Sequence, residues 1–136
     1  MTDKMPAPRV DPARLAEIRA LYTELIGFVP PRIEARVTVG SRVDPEGLEM
    51  QETMREHFMY PACFDVKTSQ LMLFGILLAL MGDAARLHAI AARRAGATWE
   101  ELWAVANLAF LFRGLPAINM GSEIIKKLAD DEGAAT

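Results

Sequence analysis

His88 is one of two histidines in the chain, and it sits among small residues. At helical spacing its face carries Ala84, Ala85, Ala91, Ala92 and Ala95, a floor of methyl groups that other backbones can approach closely, which encloses the ring. An imidazole titrates near neutral pH, so one reading of His88 is a general acid or base with ligand space beside it. The other is a core histidine whose ring is satisfied by a backbone carbonyl. His57 follows Met54 by three positions and adjoins Phe58, which puts it on the apolar side of its helix. There it either approaches the same pocket or rests at the core edge with one nitrogen in water. Arg113 ends a helical stretch, where the helix dipole favours a cation, and its planar fork also suits a carboxylate ligand.

Cys63, the lone cysteine, follows Pro61-Ala62 at a helix start, a place that can depress a thiol pKa. Its neighbours Tyr60, Pro61 and Phe64 make a small buried hydrophobe the plainer reading. Met50, Met54, Met59, Met72 and Met81 read as core filler rather than metal ligands. With two histidines and no HxxxH or HExxH spacing, no metal motif is present. Glycine-rich phosphate loops and a GxSxG elbow are also absent, so the sequence calls for no cofactor. Glu100 and Glu101 are explained first by helix capping.

The elements that must hold these residues are helices. Asp11-Pro12 is a start signal, because the carboxylate satisfies free N–H groups and proline needs no donor there. The stripe Leu15, Ile18, Leu21, Tyr22 and Leu25 follows, and Gly27 with Pro30-Pro31 ends it. Residues 32–43 hold three valines without a decisive run and predict irregular structure or a short helical turn. Asp44-Pro45 starts a helix carrying Met50, Met54, His57 and Phe58, stopped by Pro61. Asp65 caps a helix from Val66 to about Met81 whose second half is apolar on every side. Gly82-Asp83 breaks the chain before a helix from Ala84 to Ala95. Thr98-Trp99-Glu100-Glu101 has the form of a capping box and opens a helix burying Leu102, Trp103, Ala106, Ala109 and Phe110. A last helix runs from about Ala117 to Leu128. No strand-like alternation interrupts this series, so the sequence predicts an all-α protomer of five to six helices. It has a flexible arm over 1–10, a single domain over 11–130 and a polar tail over 131–136.

Composition narrows the function classes. The 136 residues carry 15 Lys plus Arg against 18 Asp plus Glu, a net charge of -3, which supplies no basic field for nucleic acid. One cysteine excludes a disulfide framework and any CxxC dithiol, and the default is a reduced, cytoplasmic protein. The longest apolar stretch, Leu71 to Met81, is 11 residues, short of the roughly 20 that cross a bilayer. A helix apolar all round must be buried all round. A chain of this size cannot easily enclose that segment by itself, which predicts burial between subunits.

From Asp65 onward the order of motifs resembles the carboxymuconolactone decarboxylase family, which belongs with the alkylhydroperoxidase D-like proteins. The residues that carry the likeness are Asp65-Val66-Lys67-Thr68-Ser69-Gln70-Leu71, Leu87-His88, Ala91-Ala92-Arg93-Arg94-Ala95-Gly96-Ala97-Thr98-Trp99-Glu100-Glu101 and Phe112-Arg113-Gly114-Leu115-Pro116-Ala117. Upstream, Gly27-Phe28-Val29-Pro30-Pro31 is similar to members of the same group. The resemblance implies a helical protomer assembled into homotrimers or homohexamers, with active sites near subunit contacts. The peroxidase branch needs a Cys-x-x-Cys whose positions fall here on Met81 and Ala84, so a dithiol cycle is excluded. The decarboxylase branch places its histidine on His88, while Ser69-Gln70 stands where the family often has Arg-Glu. The implied activity is cofactor-free decarboxylation of a small carboxylated lactone or related cyclic acid. His88 would deliver the proton, Gln70 and Ser69 would donate to the oxyanion, and His57 and Arg113 would bind the carboxylate. The alternatives are a non-catalytic helical oligomer that binds a small apolar ligand or a protein, and peroxidase action through Cys63.

Overall fold

A computed structural model describes residues 3–135. Among them are seven helices and no strand: α1 (Pro12–Ile26), α2 (Pro31–Val43), α3 (Pro45–Met59), α4 (Val66–Ala79), α5 (Ala85–Arg94), α6 (Trp99–Arg113) and α7 (Leu115–Ala135). The all-α expectation holds, with one or two helices more than expected. Two compact units divide the chain, the first ending at Met59 and the second beginning at Tyr60. No helix of the described residues is long and apolar enough to cross a membrane.

In the first unit α1 begins as its sequence dictates, with Asp11 Oδ1 accepting from the Ala13 amide at 2.9 Å, and it ends at Gly27, whose φ of 97° is the left-handed cap. The additional helix is α2. Its β-branched valines and Gly40 are poor helix formers, and interactions beyond the helix hold it. Val37 and Ser41 are buried, and a Cβ on Gly40 would stand 3.0 Å from Leu48 Cβ, so α2 and α3 lie close together. Residues 3–10 form no helix, but Arg9 is tied down: its guanidinium donates to Arg42 O and Val43 O at 3.2 and 3.0 Å, a cation on the C-terminus of α2.

The face that α3 buries differs from the one its apolar stripe predicts. Met50, Met54 and Phe58 are exposed, and Leu48 and Glu52 are buried instead. The Glu52 carboxylate is fully buried, and its Oε1 accepts from Tyr22 Oη at 2.7 Å and from Arg36 Nη2 at 2.6 Å. The Arg55 guanidinium lies 3.9 Å over the Tyr22 ring. Burial, and then the bond to Glu52, push the Tyr22 phenol up to about 12. A phenol raised in the folded state contributes stability below its ordinary value near 10, and that contribution is lost as pH rises from there toward 12. Tyrosinate absorbance is therefore expected to show a component titrating near pH 12, which Tyr22→Phe removes. Its persistence in the variant would separate it from Tyr22.

In the second unit Asp65 Oδ1 accepts from the Thr68 amide at 2.7 Å and starts α4. The capping box is formed, with the Glu101 amide donating to Thr98 Oγ1 at 3.0 Å and the Thr98 amide to Glu101 Oε2 at 2.8 Å. Thr98→Ala is expected to cost about 1 kcal/mol, read as a lower denaturation midpoint with unchanged cooperativity. Phe74 and Leu78 of α4, Ala85, Ala89 and Ala92 of α5, Leu102 and Ala106 of α6, and Ala117, Ile124 and Leu128 of α7 make the core. A Cβ on Gly121 would stand 3.0 Å from Ala106 Cβ, so α7 approaches α6 closely at this glycine.

Several details correct the sequence reading. Trp103 and Phe110, expected inside, are 49% and 37% exposed, because Leu102, Ala106 and Ala109 take the core side of α6. α7 starts at Leu115 and runs through the expected tail to Ala135, carried by the pairs Lys126–Asp130 and Lys127–Asp131 and by Glu132, which holds Arg93 at 2.7 Å. Of the five methionines read as core filler, Met50, Met54 and Met72 are exposed, while Met59 and Met81 are half-buried and Met81 packs against the core of the second unit. Cys63 is exposed in the turn before α4 rather than packed as a hydrophobe. The apolar segment from Leu71 to Met81 buries Phe74 and Leu78, while Met72, Ile76 and Leu80 remain 48%, 54% and 71% exposed.

Candidate functional site

α4 and α5 are consecutive and joined by a tight turn, which brings the fifth residue of α4 to the fourth of α5. His88 Nδ1 lies 2.7 Å from Gln70 Oε1. An amide oxygen only accepts, so Nδ1 is the donor and carries the proton. The ring is thereby held as one tautomer, with Nε2 as its basic nitrogen, and Gln70 accepts equally well when the ring becomes a cation. A histidine whose ring is oriented by a fixed acceptor is suited to proton exchange.

Gln70 is fully buried and His88 is partly buried, above Ala85, Ala91 and Ala92, which are buried as the small-residue face requires. Ala84 and Ala95, at the two ends of that face, are exposed. Ser69, one residue before Gln70, is 7% exposed, and its Oγ has no hydrogen-bond partner among the described residues. A buried hydroxyl left unbonded costs about 1–3 kcal/mol.

Arg113 closes α6 and is exposed, where its charge meets the helix dipole. His57 belongs to the first unit and is exposed on α3. Its ring meets Phe58 edge-on, 4.9 Å between centroids, and lines a groove of about 560 Å³ with Glu46, Glu49, Met50, Thr53 and Met54. Among the described residues no three His, Cys, Asp or Glu side chains converge as a metal site would need.

A second groove, of about 600 Å³, runs between α4 and α6. Lys67 Nζ meets Glu101 Oε1 at 2.9 Å at its start, and Phe112 lies at its far end. The pairing of Lys67 with Glu101 and the packing of Gly75 against Val105 show that these helices run parallel. Ser69, Gln70 and His88 are not among the residues lining this groove. Two features escaped the sequence reading. Lys67–Glu101 joins residues 34 apart with no local signal. The position of Glu52, four after the buried Leu48, was the only hint of its burial.

Comparison of the chain with protein-family models, with curated proteins and with solved structures finds no match in any of the three.

Proposed function

We propose that the protein is a cofactor-independent decarboxylase of the carboxymuconolactone decarboxylase type, acting on a small carboxylated lactone or related cyclic acid, and that its protomers associate as a homotrimer or homohexamer. The observation that carries the chemistry is the 2.7 Å bond from His88 Nδ1 to Gln70 Oε1. It supplies one oriented nitrogen for proton transfer in a partly buried setting, which is the demand that such a substrate makes.

In a carboxylated butenolide the bond to the carboxylate breaks, carbon dioxide departs, and the electron pair passes into the conjugated lactone carbonyl as a dienolate. The protonated Nε2 of His88 then delivers a proton to the ring carbon, and solvent restores it. Ser69 Oγ donates its unused hydrogen bond to the dienolate oxygen, where negative charge develops. Gln70 positions the ring through its carbonyl oxygen, which accepts from His88 Nδ1, and any donation to the oxyanion would come from its amide NH2 group.

The test is a panel of carboxylated butenolides and related cyclic acids incubated with the full-length protein, following carbon dioxide release together with loss of ring absorbance. Release from at least one member is the expected result. A panel left intact by protein of verified fold would overturn the assignment.

A further inference from the structure

We propose that the outer face of α3 binds a soft monovalent metal ion, copper(I), with Met50, Met54 and His57 as its ligands. The site is independent of the decarboxylase assignment, because all three residues stand on one helix of the first unit. They follow one another at spacings of four and three positions, which stack side chains on one helical face. Together they line the groove of about 560 Å³. Packing does not account for the two methionines: Leu48 and Glu52 take the inner side of α3, and Met50 and Met54 are 68% and 59% exposed. Phe58 lines the same groove, and its edge-on contact with the His57 ring limits the swing of that ring.

The donor set selects the metal. Two thioethers and an imidazole are neutral ligands that suit copper(I), whereas hard divalent ions favour oxygen. The carboxylates of the groove do not supply that oxygen beside His57. Glu49 is held by Arg14 Nε and Nη2 at 3.1 and 2.8 Å. Glu46 stands 11 positions before His57, about 16 Å along the helix axis. The methionine side chain is unbranched with three rotatable bonds, so Met50 and Met54 can close on an ion held at His57 without a change in α3. A thioether has no proton to lose, and only the imidazole must be neutral for the site to form.

The test is titration of the full chain with copper(I) alone, without oxygen and in competition with a bathocuproine chelator. It is made in a Cys63→Ser background, because the exposed thiol of Cys63 is itself a soft ligand. One ion per chain is the expected stoichiometry. Met50→Leu, Met54→Leu and His57→Gln should each weaken binding by at least the roughly 10- to 100-fold that losing an outer partner of a metal site costs. Circular dichroism should not change, since all three side chains are exposed. Zinc(II) should bind far more weakly than copper(I). Absence of binding by Cys63→Ser overturns the site, and binding seen only while Cys63 is intact assigns the ion to the thiol instead. Binding that the three further substitutions leave unchanged also overturns it. Zinc(II) held as tightly as copper(I) would overturn the choice of a soft ion.

Discussion

Glu52→Ala is expected to destabilise the protein by about 3 kcal/mol, near the low end of the roughly 3–5 kcal/mol that follows removal of one partner from a buried ion pair. The low end applies because Arg36 keeps a third of its side chain in water, while Glu52 keeps none. Without the carboxylate, Tyr22 Oη loses its acceptor and Arg36 retains its bonds to Tyr22 Oη at 2.8 Å and Gln51 Oε1 at 3.0 Å. Glu52 Oε2 has no hydrogen-bond partner among the described residues, so the network is incomplete even in the native protein. That has a testable corollary. Replacing all three groups together, as Tyr22→Phe, Arg36→Met and Glu52→Met, is expected to recover most of the lost stability, since the buried Glu52–Arg36 pair is then removed as a whole. Chemical denaturation followed by circular dichroism measures both. A single variant within about 1 kcal/mol of wild type, or a triple variant no better than the single one, would show that the network is not what joins α1, α2 and α3.

The largest effect on turnover is expected at His88. Positioned general acids contribute about 10²- to 10⁴-fold, and His88→Ala should lose a factor in that range. The fold should survive it, because the ring is only partly buried and the core beneath it consists of Ala85, Ala89 and Ala92. Gln70 acts through the ring, so its variants separate positioning from simple packing. Gln70→Leu frees the imidazole to change tautomer and should lower turnover less than His88→Ala does. Gln70→Glu restores an acceptor and adds a negative charge that favours the imidazolium. It should retain activity and move the histidine-dependent limb of the pH profile toward higher pH. A purely structural role for Gln70 would lower the amount of folded enzyme and leave that profile where it is.

Helix starts were the most legible part of the fold, because they are set by local chemistry. Asp11-Pro12, Asp65 and Thr98 with Glu101 each satisfy free amides within three residues, and all three cap helices in the structure. α2 was not legible for the complementary reason. Arg19 grips Glu34 through Nε and Nη2 at 3.0 and 2.9 Å, and Arg36 reaches Glu52, so tertiary partners override weak local propensity. The face of α3 was misread because apolar periodicity counts Met50, Met54 and Phe58 as interior and Glu52 as exterior. Only the positions of Tyr22 and Arg36 make a carboxylate tolerable inside. His88 drew attention through its alanine face, which is local. Its bond to Gln70 spans 18 positions and exists because the turn after α4 sets the register of α5. Ser69 offered no sign of its unused hydroxyl until the burial of α4 was known.

The decisive comparison is carbon dioxide release from the carboxylated butenolide panel by wild type and His88→Ala, assayed side by side at equal folded concentration. Release by wild type from at least one substrate, falling about a hundredfold or more in the variant, is the expected outcome. Equal release by the two proteins would remove His88 from the chemistry, and with it the function read from its bond to Gln70.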